Sequence, residues 1–174
     1  MYTGISRRLP IALGPLVLLA ASAAASERTL DHANPPRTLT VEHAEILIAD
    51  GDGSPARGFL TIWNGTDTHA YLAKVSSEAF ANIRLMRTPF NSDDDAAGPV
   101  GGPLLVPAHA ELQMRIGGIH LLLADPASPI DQSESQRLML IFDDGQEVEV
   151  SAYLVPSSDR LTSHRHGEAD RSAN

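Results

Sequence analysis

"LLVPAHAELQMRIGGIHLLLADPASPI", residues 104–130, is the stretch on which the reading of this chain turns. It holds two β-segments, "AELQMRI" and "GIHLLLAD", parted by the pair Gly117-Gly118 and bounded by proline-rich turns. A titratable imidazole, His120, stands inside the apolar run, where another leucine would bury at lower cost. Period-two alternation sets His120 and Leu122 on one face of the strand and Ile119, Leu121 and Leu123 on the other. If the second face packs the core, His120 points to solvent or to a site at the strand end. The alternative is a core histidine whose ring is satisfied by a loop carbonyl.

Working outward, strands recur on both sides. "TLTVEHAEILIAD" is rich in β-branched residues and ends in the loop "GDGSPARG". "GFLTIWNGTD" alternates and closes on Asn64-Gly65, a strong turn signal. "HAYLAKVSS" and "FANIRLMRT" follow, and "NSDDDAAGPVGGP" reads as a long loop with little capacity to order itself. "QRLMLIFDDG" and "EVEVSAYLVP" form a closing hairpin about Asp144-Gly145, with Val148, Val150 and Ala152 on one face. About eight short strands with no helical period predict an all-β, Greek-key β-sandwich.

The ends read differently. "MYTGISRRLPIALGPLVLLAASAAAS" has Arg7 and Arg8, an apolar stretch broken by Pro10 and Pro15, and an A-x-A pattern at Ala23 and Ala25. It is too short and too interrupted for a membrane span, and reads as a signal peptide cleaved after Ala25. The Arg7-Arg8 pair leaves Sec and twin-arginine export both open. Residues 26–37 read as a flexible segment, 38–156 as one domain and 157–174 as a polar disordered tail.

Composition excludes several functions. The net charge of −9, more acidic still once Arg7 and Arg8 depart, argues against nucleic acid. With no cysteine there is no disulfide framework and no thiolate nucleophile. No G-x-S-x-G or H-E-x-x-H signature occurs, and no enzyme is expected. "DGDGS" from Asp50 opens like a calcium loop, but Thr61 stands where the closing glutamate belongs, so it reads as a hairpin loop. Asp93-Asp94-Asp95 reads as a solvated charge run. A soft metal site must therefore come from methionine and histidine. Met114 and Met139 lie in alternating strands and read as core filler, and His43 as a strand residue on a polar face. His69 and His109 lie near turns. Met86 ends a strand just before the acidic loop.

Laid out this way, the chain resembles the PCu(A)C family of exported bacterial copper chaperones. "GFLTIWNGTD" is similar to an early strand of that family, and "VSSEAFANIRLM" to the following strand pair. The V-P-A segment, the Gly-Gly pair with its histidine-bearing strand, and the closing hairpin "RLMLIFDDGQEVEVSAYLV" complete a resemblance from about Leu39 to Val155. It implies a cupredoxin-like sandwich that holds copper at one end with two histidines and two methionines, for delivery to cytochrome c oxidase or for copper homeostasis. Soft thioether and imidazole ligands suit Cu(I).

Carried over residue by residue, the histidine after Gly-Gly is His120, and the methionine two residues on is replaced by Leu122. The first family histidine falls at Met86, and the methionine before the V-P-A segment falls near Gly98. The expected copper ligands are thus His120 and Met86. His164 and His166 of the tail either add ligands for Cu(I) or bind Cu(II). The resemblance further implies a periplasmic monomer whose partner is a copper-accepting protein, such as an oxidase subunit or another chaperone. The competing reading is a metal-free binding module that keeps the scaffold.

Overall fold

The computed structural model describes residues 34–48, 55–93, 96–131 and 134–162. The expected signal peptide, the "DGDGS" loop and the tail histidines lie outside them. Among the described residues there are ten strands: β1 Leu39–Leu47, β2 Ala56–Asn64, β3 Ala70–Ser76, β4 Phe80–Arg87, β5 Gly98–Pro99, β6 Leu104–Val106, β7 Ala110–Gln113, β8 Ile119–Pro126, β9 Gln136–Phe142 and β10 Glu147–Val155.

The two strands beyond the expected eight are β5 and β6, of two and three residues, too short to show alternation. β5 lies in the stretch read as an unordered loop, where Met86↔Pro99 and Arg87↔Gly98 pair it to β4.

All strands join one hydrogen-bonded path, β5-β4-β8-β2-β1-β10-β9-β3-β6, with β7 also on β2. The path curls into two halves, hinged where β1 and β10 run parallel. One half carries β1, β2, β4, β5, β7 and β8; the other carries β3, β6, β9 and β10. Between them lie Ile46, Leu60, Ile62, Leu72, Leu121, Leu123, Leu138 and Leu140, all essentially inaccessible. Each such side chain stabilises the fold by about 1.5–3 kcal/mol relative to exposure. With no disulfide available, this layer carries the stability.

The turns follow the sequence. Asn64 is fully buried, and its amide donates to the Thr68 and Val106 carbonyls while its Oδ1 accepts from Thr66. Gly65 is required there, because a Cβ would sit 1.8 Å from the Pro36 oxygen. That oxygen accepts the Trp63 indole N–H at 2.8 Å. Pro36, within the amino-terminal segment 26–37, thus lies against the end of β2. The last hairpin turns as expected, with Gly145 at φ 86 and its N–H on the Phe142 carbonyl.

One further expectation changes. Met139 faces away from the sandwich core and is half-buried, because Leu138 and Leu140 take the inward positions. Residues 157–162, at the start of the segment read as a polar tail, run as a strap along the body. Ser158–Arg160 make one 3-10 turn, Leu161 packs on the core, and Thr162 is bonded to β1.

Candidate metal site

β8 lies between β4 and β2, and its register decides what surrounds His120. On β4 the direct partner of His120 is Met86. Partners across an antiparallel pair project to the same face, with Cβ atoms about 4.5–5.5 Å apart. On the other side, the β2 ladder ends at Gly58↔Leu121, so the next residue, Phe59, comes beside His120. The two rings lie 6.4 Å apart between centroids, tilted by 41°. Phe59 is in turn paired with Glu45 of β1. One row therefore crosses four adjacent strands in the order Met86, His120, Phe59, Glu45, on the face turned away from the sandwich core.

Of the alternatives expected for the His120 ring, exposure to solvent is not the one found. The residue is 3% exposed and Met86 9%. Leu121 and Leu123 fill the core as alternation requires, yet the opposite face is covered as well. The segment between β7 and β8 reaches the ring through Gly118. β7 pairs with the upper part of β2 and β8 with the lower part, and the residues between them leave the sheet. They form a tight turn in which the Gly118 N–H donates to the Arg115 carbonyl and the Arg115 N–H to the Ile119 carbonyl. Gly117 has φ 71, a left-handed conformation that suits glycine. This explains Gly117.

The Gly118 carbonyl accepts the Thr88 N–H at 3.0 Å and lies 3.3 Å from His120 Nδ1. A carbonyl oxygen only accepts, so this contact puts the ring proton on Nδ1 and the lone pair on Nε2. A second group holding one ring nitrogen as donor while the other stays basic is the arrangement that metal-binding histidines use.

The structure brings Met86 and His120 together; His164 and His166 lie outside the described residues. Leu122 shares the His120 face, flanked by its partners Arg57 on β2 and Arg84 on β4. Gly98 sits on the strand next to Met86, but it opposes Arg87; the residue opposite Met86 is Pro99. Among the described residues no three His, Asp or Glu side chains cluster as a metal site. His69 and His109 tie two loops together, through Ala108 N–H on His69 Nδ1 and through Asp67 on His109 Nε2, each at 3.0 Å.

Sequence reasoning missed Phe59 and Glu45, whose place in the row depends on strand register. Beside the row opens a cleft of about 380 Å³, lined among others by His43, Phe59, Met114, Ile116 and Leu161. Met114 is core filler, as expected.

The fold is that of PCuAC domains. A copper-bound PCuAC domain from PmoF2 superposes with a TM-score of 0.57 at 18% identity, covering 69% of this chain and 94% of that one. An apo PCuAC domain from PmoF1 gives 0.58 at 25% identity, covering 69% and 95%. The Cu(I) form of DR1885 from Deinococcus radiodurans gives 0.52 at 20% identity, covering 64% and 74%. No curated protein sequence matches the chain. The chain belongs to the LpqE-like family, whose model, described as "Putative lipoprotein LpqE-like", matches residues 39–154.

Proposed function

We propose that this is an exported copper-binding protein of the chaperone type, not an enzyme, that carries Cu(I) between the Met86 thioether and His120 Nε2. The observation that carries the reading is the direct cross-strand pairing of Met86 with His120. Thioether and neutral imidazole are soft, uncharged donors, and a buried, largely apolar setting suits a monovalent ion better than Cu(II). Two protein ligands hold copper loosely enough for a partner to take it by ligand exchange, and His164 and His166 add donors from the tail.

The periplasm, implied by the signal-type segment at residues 1–25, is the compartment this reading requires. The copper acceptor is an oxidase subunit or another chaperone, and the protein acts as a monomer. Titration of the mature protein with Cu(I) against a competing chelator tests this. Binding tighter than that of an isolated 157–174 peptide, lost in His120→Ala, is the expected result.

A second reading is favoured by the burial of His120 and by Leu122 standing at a ligand position of the family. In it the scaffold is a metal-free binding module, and His120 is a core histidine held by Gly118. Binding no tighter than the tail peptide's would select it.

A further inference from the structure

We infer that the open seam between β3 and β4 is a docking groove for an extended acidic segment of a partner protein, which adds as a further strand along the free edge of β4. Neither the groove nor its test involves copper, so it stands or falls apart from the reading above.

The hydrogen-bonded path does not close on itself. It ends at β4 with β5 and at β3 with β6. β3 and β4 are joined by only three residues, 77–79, yet they are not paired with each other. β5 covers β4 only at Met86 and Arg87, and β6 covers β3 only from Ala70 to Leu72. Between the uncovered lengths lies a cleft of about 290 Å³, with Lys74 on one lip and Ile83, Arg84 and Leu85 on the other.

The free edge of β4 is a template for a strand. The Leu85 carbonyl accepts the Val100 N–H at 2.9 Å, on the side away from β8. Residues two apart along a strand present N–H and C=O to the same side, so Ala81 and Ile83 present theirs to the seam as well. Among the described residues no strand takes them up. Such an edge binds an added strand, the main chain giving affinity and the side chains selectivity.

Charge selects the occupant. The chain has 22 Asp and Glu against 13 Lys and Arg, yet the lining of this cleft holds Lys74 and Arg84 and no carboxylate. Both residues are exposed, and among the described residues neither has an ion-pair partner. Pairing of two β4 edges would bring one Arg84 up to the other, and like charges across a strand pair repel. A strand carrying Asp or Glu instead meets an opposite charge on each lip.

The probe is a fluorescein-labelled peptide of about six residues, the usual strand length, alternating Glu with Val and Thr. It is titrated with the metal-free mature chain at low salt, followed by fluorescence anisotropy. A lysine counterpart reverses its charge, and an N-methylated version keeps the glutamates but loses alternate backbone donors. The expected result is saturable binding of the glutamate peptide, lost on N-methylation. Binding is at least about fivefold weaker for the lysine peptide, and for the protein carrying Lys74→Glu with Arg84→Glu. With peptide at about ten times its Kd, amide exchange at Ala81 and Ile83 slows about tenfold. The peptide controls leave the protein unaltered, so the answer does not depend on the double variant folding. No saturable binding, equal binding of the lysine peptide, or binding that survives N-methylation overturns the groove. A concentration-dependent dimer that protects Ala81 and Ile83 without peptide also overturns it, since a second copy is then the occupant.

Discussion

His120 occupies a position that leucine would fill at lower cost, and what the fold receives in return is a basic nitrogen held at fixed orientation. A polar ring this deeply buried costs on the order of 1–3 kcal/mol when left without partners, and the Gly118 carbonyl offsets that at Nδ1 only. His120→Leu is therefore expected to keep or slightly raise the melting temperature while removing Cu(I) affinity, as thermal denaturation and chelator competition would show. Replacing lost thioethers should act the other way. Leu122→Met combined with Pro99→Met places sulfur on the His120 face on both sides of the ligand pair, and should raise Cu(I) affinity at least about tenfold. Gly98→Met, facing with Arg87, should do far less. Alternation within β8 makes the company of Leu122 legible from sequence. The choice of Pro99 over Gly98 does not follow from sequence, because it depends on the parity of a two-residue strand across a loop. Nor does the burial of His120 follow, since alternation alone sets it on the face opposite the core.

At the scale of elements, the connection from β7 through Gly117-Gly118 to β8 sets a carbonyl against the His120 ring. Gly117→Val forces a β-branched residue to φ 71 and should cost about 1–3 kcal/mol. It should also weaken Cu(I) binding, because the Gly118 carbonyl that orients His120 shifts with the turn. Gly65→Ala acts at the other end of β2: its methyl would displace Pro36 and break the Trp63 hydrogen bond. Trp63 is the only tryptophan, so a red-shifted emission with a lowered melting temperature is the readout. The strap has an acid-sensitive element too. The Ser157 hydroxyl and then its own backbone hold the Asp159 carboxyl below its ordinary range. A lowered pKa stabilises the strap above the ordinary carboxylate range, and that contribution is lost as pH falls through the lowered value. The long strands, the Asn64-Gly65 turn and the final hairpin were readable because alternation and turn chemistry agree there. β5, β6 and the strap were not, since two or three residues show no period and the strap's polar composition is offset by long-range bonds to Glu45.

For the molecule as a whole, the curled sheet sets Met86 and His120, from distant stretches of chain, side by side and ends the same row at Glu45, which holds the carboxyl-terminal strap. The class of fold was legible because segment order and turn spacing persist from β1 to β10. The row was not, because it is written in the register of four strands whose sequence order, β4-β8-β2-β1, is scrambled in space. X-ray absorption of the Cu(I)-loaded mature protein tests the central claim most directly. A sulfur shell together with imidazole nitrogen, the sulfur vanishing in Met86→Leu and the affinity with it, is the result this account predicts. A nitrogen-only environment unchanged by Met86→Leu would contradict it.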